Sequence, residues 1–155
     1  APYRAVDTAA DDVALIAFTS GTTGRPKGCV HFHRDVLATA DTFSRHVLKP
    51  CADDVFAGSP PLGFTFGLGG WWSSPCGWGR ALLLEEAHPR QLLAAVEEHR
   101  VSVLFTAPTA YRAMLGELDH HDISSLRRCV SAGRTCPRPP GGPGGSGPAC
   151  ASSTA

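Results

Sequence analysis

Residues 18–28 read FTSGTTGRPKG, from Phe18 to Gly28. The stretch combines Gly21, Gly24 and Gly28 with the hydroxyls of Thr19, Ser20, Thr22 and Thr23, and closes on Lys27. It follows Val13–Phe18 (VALIAF), a near-continuous apolar run that reads as a buried strand. Consecutive backbone N–H groups in a Gly-rich turn can converge on an anion, because glycine admits the φ angles this needs. The hydroxyls add donors and Lys27 adds a mobile positive charge, a set that suits a triphosphate. The pattern is not a Walker A loop, since G-x-x-x-x-G-K-[ST] cannot be fitted around Lys27. For a generic Gly/Thr loop the bland alternative is a flexible surface hairpin.

Working outward, Cys29–Phe32 reads as a second short strand, and Arg34–Leu48 as a helix ending near Pro50. Asp54–Ser59 reads as a strand and Pro60–Gly70 as a Gly/Pro-punctuated loop. Ala81–Leu84 is strand-like. Pro89–Arg100 reads as a helix with Leu92, Leu93 and Val96 facing inward, Val101–Phe105 as a strand, and Pro108–Leu118 as a helix with proline in its first turn. Arg128–Ser131 is a further short strand. Strands alternating with helices predict an α/β layer structure with largely parallel strands.

The bulk properties exclude more than they assign. The 155 residues allow one modest domain. A formal net charge of zero gives no basic footprint for nucleic acid. No apolar run reaches membrane-spanning length and no signal peptide is visible, so a cytoplasmic location is expected. Six cysteines without a C-x-x-C pair argue against a disulfide framework or a zinc site. Cys29, Cys51 and Cys129 read as small buried hydrophobes. His31 and His33 would share a strand face, but nothing nearby in sequence completes a ligand set, so no metal site is expected. His120 and His121 are expected to be solvated in a polar loop.

The string TSGTTGRPKG, Thr19 to Gly28, resembles over all ten residues the phosphate-binding signature of the adenylate-forming (AMP-binding) superfamily. The resemblance covers most of Asp11 to Gly133. GCVHFHRDVLATADTFSRHVL, GSPPLGFTFGLGG and VSVLFTAPTAYRAML look most like the benzoate- and 2-aminobenzoate–CoA ligase branch. It implies a partial large N-terminal α/β domain, with largely parallel strands and flanking helices. It also implies that an aromatic carboxylic acid is activated with ATP to an acyl-adenylate and passed to CoA, with Mg²⁺ present. Thr19, Ser20, Gly21, Thr22, Thr23, Gly24 and Lys27 would then hold the ATP phosphates. Ser131, Ala132 and Gly133 would lie near the nucleotide. Phe64, Phe66, Gly67 and Ala107 would border the acyl pocket, an aromatic pair beside glycine forming a flat apolar slot; otherwise Phe64 and Phe66 are ordinary core aromatics. No catalytic residue is assigned. The family's adenine-binding segment, ribose-binding aspartate and C-terminal lysine have no counterpart in residues 1–155, so a fragment is expected. A fatty-acyl ligase, a carrier-loading adenylation domain and a non-catalytic remnant are the alternatives.

Two segments break the family pattern. At Trp71–Gly79 (WWSSPCGWG) a buried strand is expected instead. Arg134–Ala155 has ten Pro or Gly among twenty-two residues and no Leu, Ile, Val or aromatic, which reads as a disordered tail. Both read differently one base out of frame. If Gly133–Cys136 is GGC AGG ACC TGC, restoring one G gives GGC GAG GAC CTG, and with GC-rich synonymous codons the tail can read EDLPAATWRAWRERTGLRVIDG. The same shift can turn residues 71–79 into LVVFPLRVG, given a suitable choice of codons. Trp71, Trp72, Trp78, Cys76, Cys136 and Cys150 would then be products of the wrong frame. The expected division is 1–133 as AMP-binding domain, with 71–79 shifted, and 134–155 as an aberrant tail.

Overall fold

The computed structural model describes residues 3–19, 24–73, 79–132 and 149–153, with backbone alone at 70–73 and 149–153. Two sheets organise them. β1 (Val13–Thr19) and β2 (Lys27–Phe32) form an antiparallel hairpin, pairing from Val13↔Phe32 to Thr19↔Lys27. β3 (Asp54–Gly58), β4 (Gly79–Ala81), β5 (Val103–Phe105), β6 (Arg128–Ala132) and β7 (Ala149–Ser153) form a parallel sheet in the order β4-β3-β5-β6-β7. The α/β class with mostly parallel strands is as the sequence predicts.

α1 (His33–Phe43) begins directly at the end of β2. The Asp35 carboxylate accepts from the Phe32 N–H at 2.9 Å, satisfying a donor at the helix start. Its last part, Ser44–Leu48, widens into a π-helical turn, and Lys49 closes it with a left-handed φ of 49°. α2 (Thr65–Ser73) follows β3, and α3 (Pro89–His99) follows β4. α3 has proline at its first turn, Gln91 Oε1 accepting from the His88 N–H at 3.0 Å, and Arg100 in the left-handed region at its end. α4 (Pro108–Met114) connects β5 to β6.

The core has two faces. On one, Leu92, Leu93 and Val96 of α3 and Met114 of α4 pack on Val55, Ala57, Val101 and Leu104. On the other, Leu48 packs with Phe56, Val103, Phe105 and Val130, and Phe43 and Phe66 close over them. Each fully buried Leu or Val contributes about 1.5–3 kcal/mol by leaving water.

Several expectations need correction. β1 is a strand but not a buried one: Val13, Ile16 and Phe18 are exposed, Phe18 at 73%. The hairpin is a sheet of two strands apart from the parallel sheet, so its apolar residues lie outside both core clusters. Pro60–Gly70 is not wholly loop, because α2 starts at Thr65. Gly67 allows this: a Cβ there would sit 2.2 Å from the Pro61 carbonyl oxygen, so glycine is what lets the helix close on that turn. The strand expected at 71–79 is instead the end of α2 and, from Gly79, the start of β4; residues 74–78 lie outside the described residues. Cys29 and Cys51 are exposed rather than buried, Cys29 because it lies on the hairpin. His121 is not simply solvated, since its Nδ1 lies 2.9 Å from Glu97 Oε2. Within the tail, Ala149–Ser153 is a strand where disorder is expected. The open edge of β6 offers N–H and C=O groups to any extended segment, and small residues can adopt that conformation. Residues 133–148 lie outside the described residues.

Candidate functional site

The site residues expected from sequence fall into two groups. The first is on the hairpin. Thr19 ends β1 directly opposite Lys27, which opens β2, so the two brace the base of the glycine-rich loop. Gly24 has φ +81°, a conformation glycine alone adopts without strain. Ser20, Gly21, Thr22 and Thr23 lie outside the described residues.

The second group sits at the carboxyl ends of the parallel strands, where open α/β sheets bind ligands. Phe66 packs on Phe105 with centroids 5.9 Å apart, and Phe105 stacks on Phe56 at 6.3 Å. Phe66 is therefore a core aromatic in this structure. Phe64 is exposed, and its carbonyl accepts from the Leu68 N–H at 2.9 Å in the first turn of α2. Ala107 is the exposed N-cap of α4. Ser131 and Ala132 end β6; Gly133 lies outside the described residues.

A half-open cavity of about 390 Å³ lies between the segments that follow β3 and β4. Phe56, Phe105, Pro61, Leu82 and Leu84 supply apolar walls, and Ser59 and Glu85 the polar groups. Of the four expected acyl-pocket residues, Gly67 lines it and Phe64, Phe66 and Ala107 do not. α1 links the two groups, packing against both β2 and α2.

The sequence reading named Ser131 but missed the row of hydroxyls to which it belongs. The ladder pairs Gly58 with Phe105 and Phe105 with Val130, which puts Ser59, Thr106 and Ser131 on the next rung. Ser59 Oγ and Thr106 Oγ1 are 2.5 Å apart. Thr106 is fully buried, and Ser131 Oγ is buried with no hydrogen-bond partner among the described residues. The available signal was a Ser or Thr directly after each apolar run: Gly58-Ser59, Phe105-Thr106, Val130-Ser131.

At the opposite, amino end, Asp54 is held by Arg127, whose Nε donates to Oδ1 at 2.7 Å. Ser102 Oγ donates to the same oxygen at 2.6 Å and the Cys51 N–H to Oδ2 at 2.8 Å. Arg127 also donates to the carbonyls of Leu48 and Lys49. Burial alone would raise the Asp54 carboxyl. The hydrogen bonds from Arg127, Ser102 and Cys51 and the Arg127 charge outweigh it and hold the carboxyl far below the usual range. This cluster ties β3, β5 and the start of β6 together and faces away from the ligand end of the sheet.

Among the described residues no three His, Cys, Asp or Glu side chains gather as a metal site, and no helix is long and apolar enough to cross a membrane.

The AMP-binding enzyme family matches residues 1–140. The chain belongs to that family. It is 32% identical over 139 residues to the benzoate–CoA ligase of Thauera aromatica, covering 87% of this chain and 26% of the relative. It is also 32% identical over 142 residues to the acetyl-coenzyme A synthetase of Citrobacter koseri, covering 86% of this chain and 22% of the relative. Among solved structures, an anthranilate CoA ligase in complex with anthranoyl-AMP superposes with a TM-score of 0.75 at 32% identity, covering 88% of this chain and 27% of that one. The chain spans about a quarter of the length of the curated relatives it matches. These three relatives are acid–CoA ligases or synthetases, and the solved example holds anthranoyl-AMP.

Proposed function

We propose that this segment is the phosphate-loop portion of an acid–CoA ligase that activates an aromatic carboxylic acid of the benzoate or 2-aminobenzoate type. The observation that carries the reading is the Thr19–Gly28 loop on its hairpin, in a chain similar to a benzoate–CoA ligase and to an anthranilate CoA ligase. Thr19, Ser20, Gly21, Thr22, Thr23, Gly24 and Lys27 would hold the ATP phosphates through N–H groups, hydroxyls and one ammonium. Loop donors of this kind stabilise the charge that builds as the carboxylate attacks the α-phosphorus and pyrophosphate leaves. Mg²⁺, when bound with the triphosphate, supplies further charge neutralisation. Ser131, Ala132 and Gly133 would border the nucleotide at the end of β6. Gly67 and Phe105 would set one wall of the acyl slot, with Phe66 packed behind Phe105.

The aromatic preference is supported by the ring cluster Phe56–Phe105–Phe66 beside the cavity. Acetate is the competing substrate, because an acetyl-coenzyme A synthetase matches at equal identity. A panel of acids separates them in a full-length enzyme containing this segment. Benzoate or 2-aminobenzoate is expected to support ATP–pyrophosphate exchange at more than about tenfold the kcat/KM of acetate. A preference for acetate would replace the aromatic reading, and a preference for long-chain acids would replace both. No exchange with any acid would mark a non-catalytic member.

A further inference from the structure

We infer that the strand position beside β6 belongs to a sequence encoded one base out of the present frame, and that Ala149–Ser153 occupies it as a substitute. This inference does not depend on which acid the enzyme takes.

The structure supplies the first half. Ala149–Ser153 pairs in parallel with β6, residue by residue from Arg128↔Ala149 to Ala132↔Ser153. Strands of a sheet packed on both faces are apolar runs, and β3 and β5 obey this, with Val55–Ala57 and Val103–Phe105 all buried. Ala-Cys-Ala-Ser-Ser contains no large or β-branched apolar residue. A parallel connection also needs a crossover of about a dozen residues or more, usually a helix. Residues 133–148 have that length, yet they include Pro137, Pro139, Pro140, Pro143 and Pro148, a sequence at odds with any helix. Position and length therefore suit a crossover unit whose residues are wrong for it.

The genetic code supplies the second half. When the frame moves by one base, the first two letters of each present codon become the last two of the new one. Cysteine codons begin T-G, and every codon ending T-G encodes Leu, Val or Met. Serine codons of the T-C type give codons ending T-C, which encode Phe, Leu, Ile or Val. Cys150 therefore becomes apolar whatever precedes it, and Ser152 and Ser153 do so from T-C codons. All three fall inside the five residues that pair with β6. Proline codons give endings in C-C, which encode Ser, Pro, Thr or Ala, so the block on a helix can lift across 137–148. With a suitable choice of GC-rich codons the tail can read EDLPAATWRAWRERTGLRVIDG, an amphipathic helical stretch and then LRVID, with no register adjustment needed. The rule recurs at Trp71, Trp72, Cys76 and Trp78, whose codons all begin T-G. Trp72, which follows another TGG, can only become Val.

Three 155-residue chains test this: the chain as written, one carrying the re-read tail, and one carrying that tail scrambled. The readout is hydrogen exchange at the Arg128–Ala132 amides. The re-read tail is expected to raise protection by about tenfold or more over both others. A chain with only Cys150→Leu, Ser152→Val and Ser153→Ile is expected to move the same way by a smaller factor, and it reports even if the re-read chain aggregates. Protection no greater than with the scrambled tail, or lowered by the three substitutions, overturns the inference.

Discussion

β1 and β3 are both apolar strands, yet β1 exposes Val13, Ile16 and Phe18 while β3 buries Val55, Phe56 and Ala57. β3 lies between two parallel neighbours with helices over both faces. β1 has one neighbour in a two-stranded sheet. The difference separates two tasks. The parallel sheet supplies stability and fixes the strand ends. The hairpin contributes little to the core, and under the proposed function it carries the loop that would follow pyrophosphate as it leaves. Low local stability belongs where motion is needed.

Substitutions should therefore act very differently in the two regions. Arg127→Ala leaves the Asp54 carboxylate buried and unpaired, and it is expected to cost about 3–5 kcal/mol, read by urea unfolding. Leu104→Ala on β5 opens a cavity in the centre of the sheet, with an expected loss of about 2–5 kcal/mol by the same method. Gly24→Val forces a β-branched residue into the left-handed region, where the strain is about 1–2 kcal/mol. Phe18→Ser in the hairpin should shift stability by no more than about 0.5 kcal/mol. A hairpin substitution as costly as Leu104→Ala would erase the distinction.

The pH dependence belongs to the sheet as well. The Asp54 carboxyl is lowered in the folded state, so its stabilisation is fully present above the unfolded value of about 3.9 and is lost as pH falls below it. Asp122, hydrogen-bonded by Ser124 and Arg100 and lowered to about 2, acts in the same direction at the surface. Unfolding midpoints should hold from neutral pH to about 5 and drop below about 4, with a shallower drop in Asp54→Asn. An equal drop in that variant would assign the acid lability elsewhere.

Much of the sheet was legible in sequence because its signals are local. Leu92, Leu93 and Val96 recur at helical spacing, and Pro89 and Pro108 mark helix starts. What stayed hidden depends on distant partners. Asp54 and Arg127 are 73 positions apart, and Ser59 and Thr106 are 47 apart. The start of α2 was hidden because Gly67 looks like a breaker until the Pro61 carbonyl is seen against it. The exposure of β1 was hidden because VALIAF alone cannot show what lies across it. Of the candidate site, the Thr19–Gly28 string is the part that carries a motif. The cavity walls at Leu82 and Leu84 were not legible, since they carry none.

The most direct measurement compares Thr23→Val and Leu104→Ala in a full-length enzyme containing this segment, following ATP–pyrophosphate exchange and thermal unfolding together. Thr23→Val is expected to slow exchange by about tenfold or more with an unchanged unfolding midpoint, and Leu104→Ala to lower the midpoint while each folded molecule keeps its rate. Equal exchange rates for wild type and Thr23→Val would contradict the assignment of this hairpin to the phosphates.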